Sequence, residues 1–175
     1  MTEIRGLIRT IPDYPKPGIQ FRDITTLLLD GPGFAQAIEA LAERSEPDID
    51  LIAGIEARGF VFGAALAARL GKGLVLMRKK NKLPGAVLGV NYALEYGQDR
   101  IEMHADAVAP GLRVLVVDDL IATGGTALAA VQLLRMAGAV VTRAAFVIDL
   151  PDLGGATRLA EAGVAVTALV AFAGD

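Results

Sequence analysis

Two adjacent carboxylates, Asp118 and Asp119, lie between an apolar run and a short glycine-rich turn. The apolar run, residues 114–117, is typical of a buried parallel strand. The turn, residues 122–126, leads into an Ala- and Leu-rich helical pattern. Backbone N–H groups at the start of such a helix bind anions, because the unpaired donors and the helix dipole both favour negative charge. The stretch therefore predicts a phosphate site.

Each residue type in the predicted phosphate cradle has a physical reason to be there. The cradle consists of Ala122, Thr123, Gly124, Gly125 and Thr126. The glycines let the backbone approach a ligand closely, and the threonine hydroxyls are additional donors. The acidic pair would repel a phosphate, so it should face ribose hydroxyls, a metal ion or a cationic reaction centre. The simpler interpretation is a strand end and a helix cap, but turn chemistry alone does not require both features.

Two other phosphate-binding devices do not match the sequence. A P-loop requires Gly-Lys-Ser/Thr at the start of a helix, and this tripeptide does not occur. A dinucleotide-binding turn requires Gly-x-Gly-x-x-Gly, and the candidate at Gly71 and Gly73 has Leu76 where the third glycine should be.

Basic residues follow two other predicted strands. Arg58 comes just after the strand 51–54, at the start of a helix, where a cation opposes the helix dipole. This conflict suggests that Arg58 binds a ligand, and the alternative is an ion pair with Glu56. The run 78–85 is strongly basic, which is typical of a solvated face or a nucleic-acid patch. The net charge of −3 argues against nucleic acid.

Phe21 and Arg22 follow a proline-rich loop and could contact a flat ligand. An aromatic ring can stack on a base, and extended backbone can bind a base edge through its N–H and C=O groups. From the local sequence alone, the simpler interpretation is that Phe21 is a core anchor and that Arg22 pairs with Asp23.

The elements that must position these residues alternate between strand and helix. Further strands are expected at 74–77, 140–150 and 164–171, with helices at 33–45, after Gly59 to Leu70, and about 126–137. This order predicts an α/β fold with a parallel sheet, helices on both faces, and ligands at the carboxyl ends of the strands. A long excursion over about 78–107, with a hairpin inside it, is typical of an active-site lid.

Composition limits the remaining possibilities. The 175 residues, 53% of them hydrophobic, fit a single domain, and the absence of cysteine excludes disulfides and thiolate chemistry. We predict a cytoplasmic protein with no nucleic-acid or membrane partner.

The stretch 114–126 resembles the 5-phosphoribosyl diphosphate (PRPP) motif of the type I phosphoribosyltransferase family. Four more motifs, at 15–25, 57–60, 78–85 and 94–97, occur in the order found in the adenine branch of that family. The resemblance implies one phosphoribosyltransferase domain over 1–175: a central mostly parallel sheet flanked by helices, a small N-terminal hood (1–30) and a flexible lid loop (about 78–107). It also implies Mg²⁺-dependent transfer of the phosphoribosyl group of PRPP to adenine, giving AMP and pyrophosphate for purine salvage in a cytoplasmic homodimer.

The resemblance also implies a role for each candidate residue. The cradle would bind the 5′-phosphate, and Asp118 and Asp119 the ribose hydroxyls. Pyrophosphate would be bound by Arg58, Arg78, Lys79 and Tyr96, with a basic residue of this region reaching across the dimer interface. Adenine would contact Phe21, the backbone of Arg22, and Leu150. Glu95 would be the acid/base near adenine N7, so the catalytic set is Glu95, Asp118, Asp119 and Arg58. PRPP and water would hold most of the Mg²⁺ shell, and a non-proline cis peptide is expected near Glu56–Ala57.

Other functions remain possible at this point. The central motif does not separate adenine from xanthine, hypoxanthine or guanine, although the motifs at 15–25 and 94–97 favour adenine. A PRPP sensor that controls transcription would need a DNA-binding module, and no helix-turn-helix extension or basic face is evident in the sequence. A different phosphorylated ligand on the same fold is the third alternative.

The role of Glu95 predicts the effect of Glu95→Gln. The variant should lower kcat by about 10²–10⁴-fold, because general acid/base help is of that size, and should weaken PRPP binding much less. Steady-state kinetics and PRPP titration measure the two effects. An unchanged kcat would remove Glu95 from the mechanism.

Overall fold

A computed structural model describes residues 3–45, 48–93 and 97–174. Within these ranges the strands are β1 (Arg9–Pro12), β2 (Gln20–Asp23), β3 (Leu51–Ile55), β4 (Gly73–Lys79), β5 (Val87–Ala93), β6 (Gln98–His104), β7 (Arg113–Ile121), β8 (Val140–Asp149) and β9 (Ala165–Ala171). The α-helices are α1 (Thr25–Leu29), α2 (Gly31–Glu43), α3 (Gly59–Leu70), α4 (Gly125–Met136) and α5 (Gly155–Glu161). Two 3₁₀ helices cover Ile4–Leu7 and Pro151–Leu153.

One seven-stranded sheet has the order β5-β6-β4-β3-β7-β8-β9. Five neighbouring strands, β4, β3, β7, β8 and β9, are parallel. The hairpin β5–β6 adds to the β4 edge in antiparallel fashion. The predicted mostly parallel sheet and the predicted hairpin are therefore confirmed, and the carboxyl ends of β3, β4 and β7 lie side by side.

The sheet separates two hydrophobic cores, because successive strand residues point to opposite faces. On β7, Val116 belongs to the core beneath α4, and Val117 to the core beneath α2 and α3. Both side chains are fully buried. Helices therefore cover both faces, as predicted, and every central strand is held from two sides.

The end of β7 differs from the prediction. β7 does not end at Val117: it continues to Ile121, and Asp118 is paired with Phe146 of β8. The acidic pair therefore lies within the ladder, whose hydrogen bonds fix the backbone of both residues. Among the described residues, no helix is long and apolar enough to cross a membrane.

The N-terminal strands β1 and β2 form a separate two-stranded antiparallel sheet. Asp23 anchors it: Arg9 Nε and Nη2 donate to Asp23 Oδ2 at 3.1 and 2.5 Å, and Asp23 Oδ1 accepts from Thr25 N–H at 2.9 Å. The hydrogen bonds from Arg9 lower the pKa of Asp23 to about 2, from an ordinary value of 3.8.

The lowered pKa predicts a pH-dependent contribution to stability. Because the folded-state pKa is the lower one, the contribution is complete above about pH 4 and is lost as the pH falls towards 2. Asp23→Asn should lower the free energy of unfolding at pH 7 by about 1–2 kcal/mol, since exposure of Arg9 reduces the effect. Urea unfolding at pH 7, 5, 4 and 3 should show this difference shrinking towards the acid end. A difference that stays constant with pH would show that the charge is not responsible.

Candidate active site

The predicted phosphate cradle is the loop between β7 and α4, and it surrounds a cavity of about 210 Å³. Gly124 has φ of +80°, so the left-handed backbone favours glycine there. The start of α5 supports the loop from behind: Gly155 N–H donates to Ala122 O at 2.9 Å, and Arg158 Nη1 donates to Thr123 O at 3.1 Å. A Cβ on Gly155 would lie 2.2 Å from Ala122 O, so this contact requires glycine. The sequence analysis did not identify Gly155 or Arg158.

The acidic pair lies between the cradle and the start of α3. Asp119 N–H donates to Asp118 Oδ1 at 2.8 Å, and Asp119 is 3% exposed. Burial and the neighbouring Asp119 carboxylate raise the pKa of Asp118 well above its usual range. Asp119 Oδ2 is buried, and its partner is the Arg58 guanidinium, whose Nε lies 2.5 Å away as an ion pair. This pair fixes Arg58 beside the acidic residues.

A crevice of about 380 Å³ opens above the acidic pair at the carboxyl ends of β3, β4 and β7. Its lining is Ile55, Glu56, Ala57, Arg58, Lys79, Tyr92, Asp118, Asp119, Leu120 and Thr126. Arg58, Lys79 and the acidic pair, which follow or end three different strands, therefore line one crevice. The predicted cis peptide is also present, between Glu56 and Ala57. Tyr92, on the hairpin, is a lining residue that the sequence analysis missed.

Arg58 and Arg78 have different partners from those that sequence proximity suggests. Glu56 binds Arg78, whose Nε and Nη2 donate to its carboxylate at 3.2 and 3.3 Å, so the alternative pairing of Glu56 with Arg58 is wrong. Burial raises the pKa of Glu56, but the bonds from Arg78 and from Lys79 N–H outweigh burial and lower it below its ordinary value. Arg78 also lies over the ring of Phe60, at 5.9 Å, and is not brought into the crevice.

A second cavity, of about 330 Å³, adjoins the crevice at Arg58 and Leu120. The predicted base-contact residues Phe21, Arg22 and Leu150 all line it. Its other lining residues are Ile19, Gln20, Ala122 and Leu153. The Arg58 guanidinium lies 5.3 Å from the centre of the Phe21 ring, so one side chain contacts both cavities. This mostly apolar space has the character of a site for a flat ring.

The side chain of Arg22 is held by residues from both ends of the chain. It donates to Thr10 Oγ1 at 2.6 Å and to Ala173 O at 3.1 Å, and it lies 4.6 Å from the centre of the Phe172 ring. The alternative that Arg22 pairs with Asp23 is wrong, because Asp23 binds Arg9. Arg22 therefore lines the cavity although its side chain is already engaged by other residues.

Glu95 and Tyr96, the predicted acid/base and the predicted pyrophosphate closure, lie outside the described residues. Their roles stay predictions.

Comparisons with known proteins agree with this geometry. Residues 25–160 match the family model described as "Phosphoribosyl transferase domain". The adenine phosphoribosyltransferase of Sphingopyxis alaskensis is 57% identical over 176 residues, covering 99% of this chain and 95% of the relative. The chain belongs to the adenine phosphoribosyltransferases. The predicted enzyme class, a pentosyltransferase, is confirmed by this family membership.

Solved structures of adenine phosphoribosyltransferases share the fold. That from Thermoanaerobacter pseudethanolicus is 48% identical, with a TM-score of 0.92, and covers 97% of this chain and 98% of its own. That from Saccharomyces cerevisiae, complexed with D-2,5-dideoxy-2,5-imino-altritol 1,6-bisphosphate and adenine, is 36% identical with a TM-score of 0.88. It covers 96% of this chain and 97% of its own. The predicted type I phosphoribosyltransferase fold is confirmed.

The contacts of Gly124 predict the effect of Gly124→Val. A Cβ there would lie 3.0 Å from the Gly155 backbone in a left-handed conformation, so the cradle must distort. Binding of PRPP, measured by calorimetry, should be abolished. Gly71→Val, at the end of α3 away from the cradle, is the matched control: its φ is +65°, but among the described residues no heavy atom lies within 4 Å of its Cβ. If both variants lose PRPP binding equally, backbone strain in general is responsible and the cradle is not.

Proposed function

We propose that the cradle, the crevice and the adjoining apolar cavity together are where the chain transfers the 5-phosphoribosyl group of PRPP to adenine, giving AMP and pyrophosphate. One observation carries the proposal: the acidic pair lies beside a phosphate cradle, the Arg58 and Lys79 side chains of the crevice, and an apolar ring-sized cavity. PRPP contains a phosphate, a ribose and a diphosphate in this order. The arrangement of the cavities therefore matches the substrate from end to end.

The charges of the site fit displacement at the ribose C1′ carbon. The transition state carries positive charge on the ribose ring and negative charge on the leaving pyrophosphate. In this proposal Asp118 and Asp119 stabilise the positive charge and Arg58 and Lys79 the negative charge, and their presence in one crevice supports these roles. The Asp118 carboxylate, which lines both the cradle cavity and the crevice, is a suitable acceptor for a ribose hydroxyl.

Mg²⁺ fits the same arrangement as an ion that arrives with PRPP. The described residues contain no cluster of three or more His, Asp or Glu side chains that could hold a metal by themselves. Mg²⁺ commonly keeps several waters and binds through one or two carboxylates together with substrate phosphates. Asp118 and Asp119 are the nearby carboxylates. When bound, the ion would neutralise charge on the leaving pyrophosphate.

Backbone recognition of the base is supported by the position of β2. This strand pairs with β1 on one side, and the described residues add no strand to its other edge. The backbone N–H and C=O groups of residues 20–22 that face away from β1 can therefore bind the edge of adenine in the adjoining cavity. Phe21 and Leu150 would contact the faces of the ring.

The homodimer remains a proposal, and exposed apolar side chains support it. Val61 on α3 is 39% exposed and Leu76 on β4 is 40% exposed. The two elements pack together, and Arg78 lies on the same face of β4 as Leu76. A second subunit on this surface would cover both apolar side chains and bring Arg78 to the interface. The predicted cytoplasmic location and the predicted lid also remain proposals.

Nucleotide synthesis tests the function directly. The purified protein, given PRPP and Mg²⁺, is offered adenine, hypoxanthine, guanine, xanthine or orotate in separate reactions. We expect AMP from adenine alone, because the base cavity and its backbone edge are built for one ring. Nucleotide formed from another base would overturn the roles of Phe21 and Arg22. Saturable PRPP binding with no turnover of any base would favour the sensor.

A further inference from the structure

Lys79 is held in the crevice by a residue that no motif identifies. Its Nζ donates to Asp99 Oδ2 at 2.7 Å, and the Tyr92 hydroxyl donates to the same oxygen at 3.2 Å. The other carboxylate oxygen, Oδ1, accepts from Arg100 N–H at 2.8 Å. Both oxygens of Asp99 are therefore engaged, which fixes the carboxylate against the hairpin.

Strand register explains why these three side chains meet. Tyr92 of β5 lies directly opposite Asp99 of β6. Lys79 of β4 lies opposite Ile101, so Asp99 is its diagonal neighbour two residues along β6. Side chains at directly opposite and diagonal positions on one face are close enough to interact. The cluster thus crosses three strands and joins the hairpin to the crevice, which both Lys79 and Tyr92 line.

The ion pair with Asp99 changes how ordered the Lys79 side chain is before a ligand enters the crevice. The Lys79 side chain is 55% exposed, and a lysine side chain free in water loses rotamer entropy when a ligand orders it. Asp99 orders Lys79 before the ligand arrives. An ammonium has three N–H donors, so the bond to Asp99 leaves two for an anion.

Asp99 also has an opposite effect, because its negative charge repels an anionic ligand. The carboxylate is 19% exposed, and the bond from Lys79 keeps its pKa below the ordinary value, so it is charged at neutral pH. The two effects differ in one respect. Ordering acts only through Lys79, whereas repulsion acts on the ligand whether or not Lys79 is present.

We propose that Asp99, with Tyr92 beside it, is a positioning residue that holds the Lys79 ammonium on the diphosphate side of the crevice and so strengthens binding of a diphosphate group. The proposal rests on the proposed function, which assigns the diphosphate of PRPP to that side. It adds that Asp99, which does not line the crevice, affects the affinity for the diphosphate through Lys79.

A double-mutant cycle tests the proposal. Dissociation constants for Mg²⁺–PRPP and Mg²⁺–pyrophosphate are measured by calorimetry for the unaltered protein, Asp99→Ala, Lys79→Met and the double variant. Asp99→Ala should raise both constants about two- to fivefold, the size expected for a partly exposed pair. In the Lys79→Met background the same change should produce no increase, or a decrease through lost repulsion. The KM for adenine should stay unchanged.

Two controls separate positioning from simpler effects. Asp106→Ala removes an exposed aspartate just beyond β6 and should leave both dissociation constants unchanged. Asp99→Asn keeps the shape of the side chain while removing its charge. It should match the direction of Asp99→Ala, and it takes that variant's place if Asp99→Ala does not fold.

Each other outcome contradicts the proposal. Equal weakening by Asp99→Ala with and without Lys79 would show that Asp99 only stabilises the hairpin. No weakening in the presence of Lys79 would show that ordering does not matter. If the unaltered protein neither makes AMP nor binds pyrophosphate, the proposed function itself fails and this proposal fails with it. If the unaltered protein makes AMP but the four dissociation constants show no coupling between Asp99 and Lys79, only the positioning role is overturned.

Discussion

The ion pair between Arg58 and Asp119 sets the charge balance on which the crevice depends. Two adjacent carboxylates in a nearly buried position repel each other, and a cation at the start of a helix opposes the helix dipole. Each arrangement is unfavourable alone, and the 2.5 Å contact between Arg58 and Asp119 offsets both. Breaking a wholly buried pair costs about 3–5 kcal/mol. Arg58 is 43% exposed, so the cost here is smaller, and the arginine is free to contact a ligand as well.

Glycine contacts hold the two halves of the site at the distance that this ion pair needs. A Cβ on Gly59, the first residue of α3, would lie 2.7 Å from Asp118 Oδ1 and 2.8 Å from Val117 O. On the other side, Gly155 touches the cradle at Ala122. Both strand-to-helix junctions are thus packed against a neighbouring segment through glycine. Small movements of α3 or α5 would change the spacing between the diphosphate side and the phosphate cradle.

Local features of the site could be predicted from the sequence, whereas ion-pair partners could not. The strand, the turn and the helix start are each determined by consecutive residues. The partners of charged side chains instead lie far away in the sequence: Arg78 binds Glu56 across 22 positions, and Arg22 binds Ala173 O across 151. The two pairings expected between neighbours in the sequence, Glu56 with Arg58 and Arg22 with Asp23, were wrong. Adjacent strand residues such as Arg22 and Asp23 point to opposite faces, so proximity in sequence keeps them apart. The continuation of β7 was missed because acidic residues are rare in strands.

The engaged side chain of Arg22 has a consequence for base selection. The guanidinium hydrogen-bonds to Thr10 Oγ1 and Ala173 O and lies over the Phe172 ring, so in the proposed function Arg22 contacts the base through its backbone. Backbone donors and acceptors on a strand have fixed spacing and cannot adapt as a flexible side chain does. A ligand edge with the wrong pattern leaves one of them unpaired, which costs about 1–3 kcal/mol. In the proposed function, discrimination between an amino and a keto purine therefore depends on the backbone of β2 along the cavity.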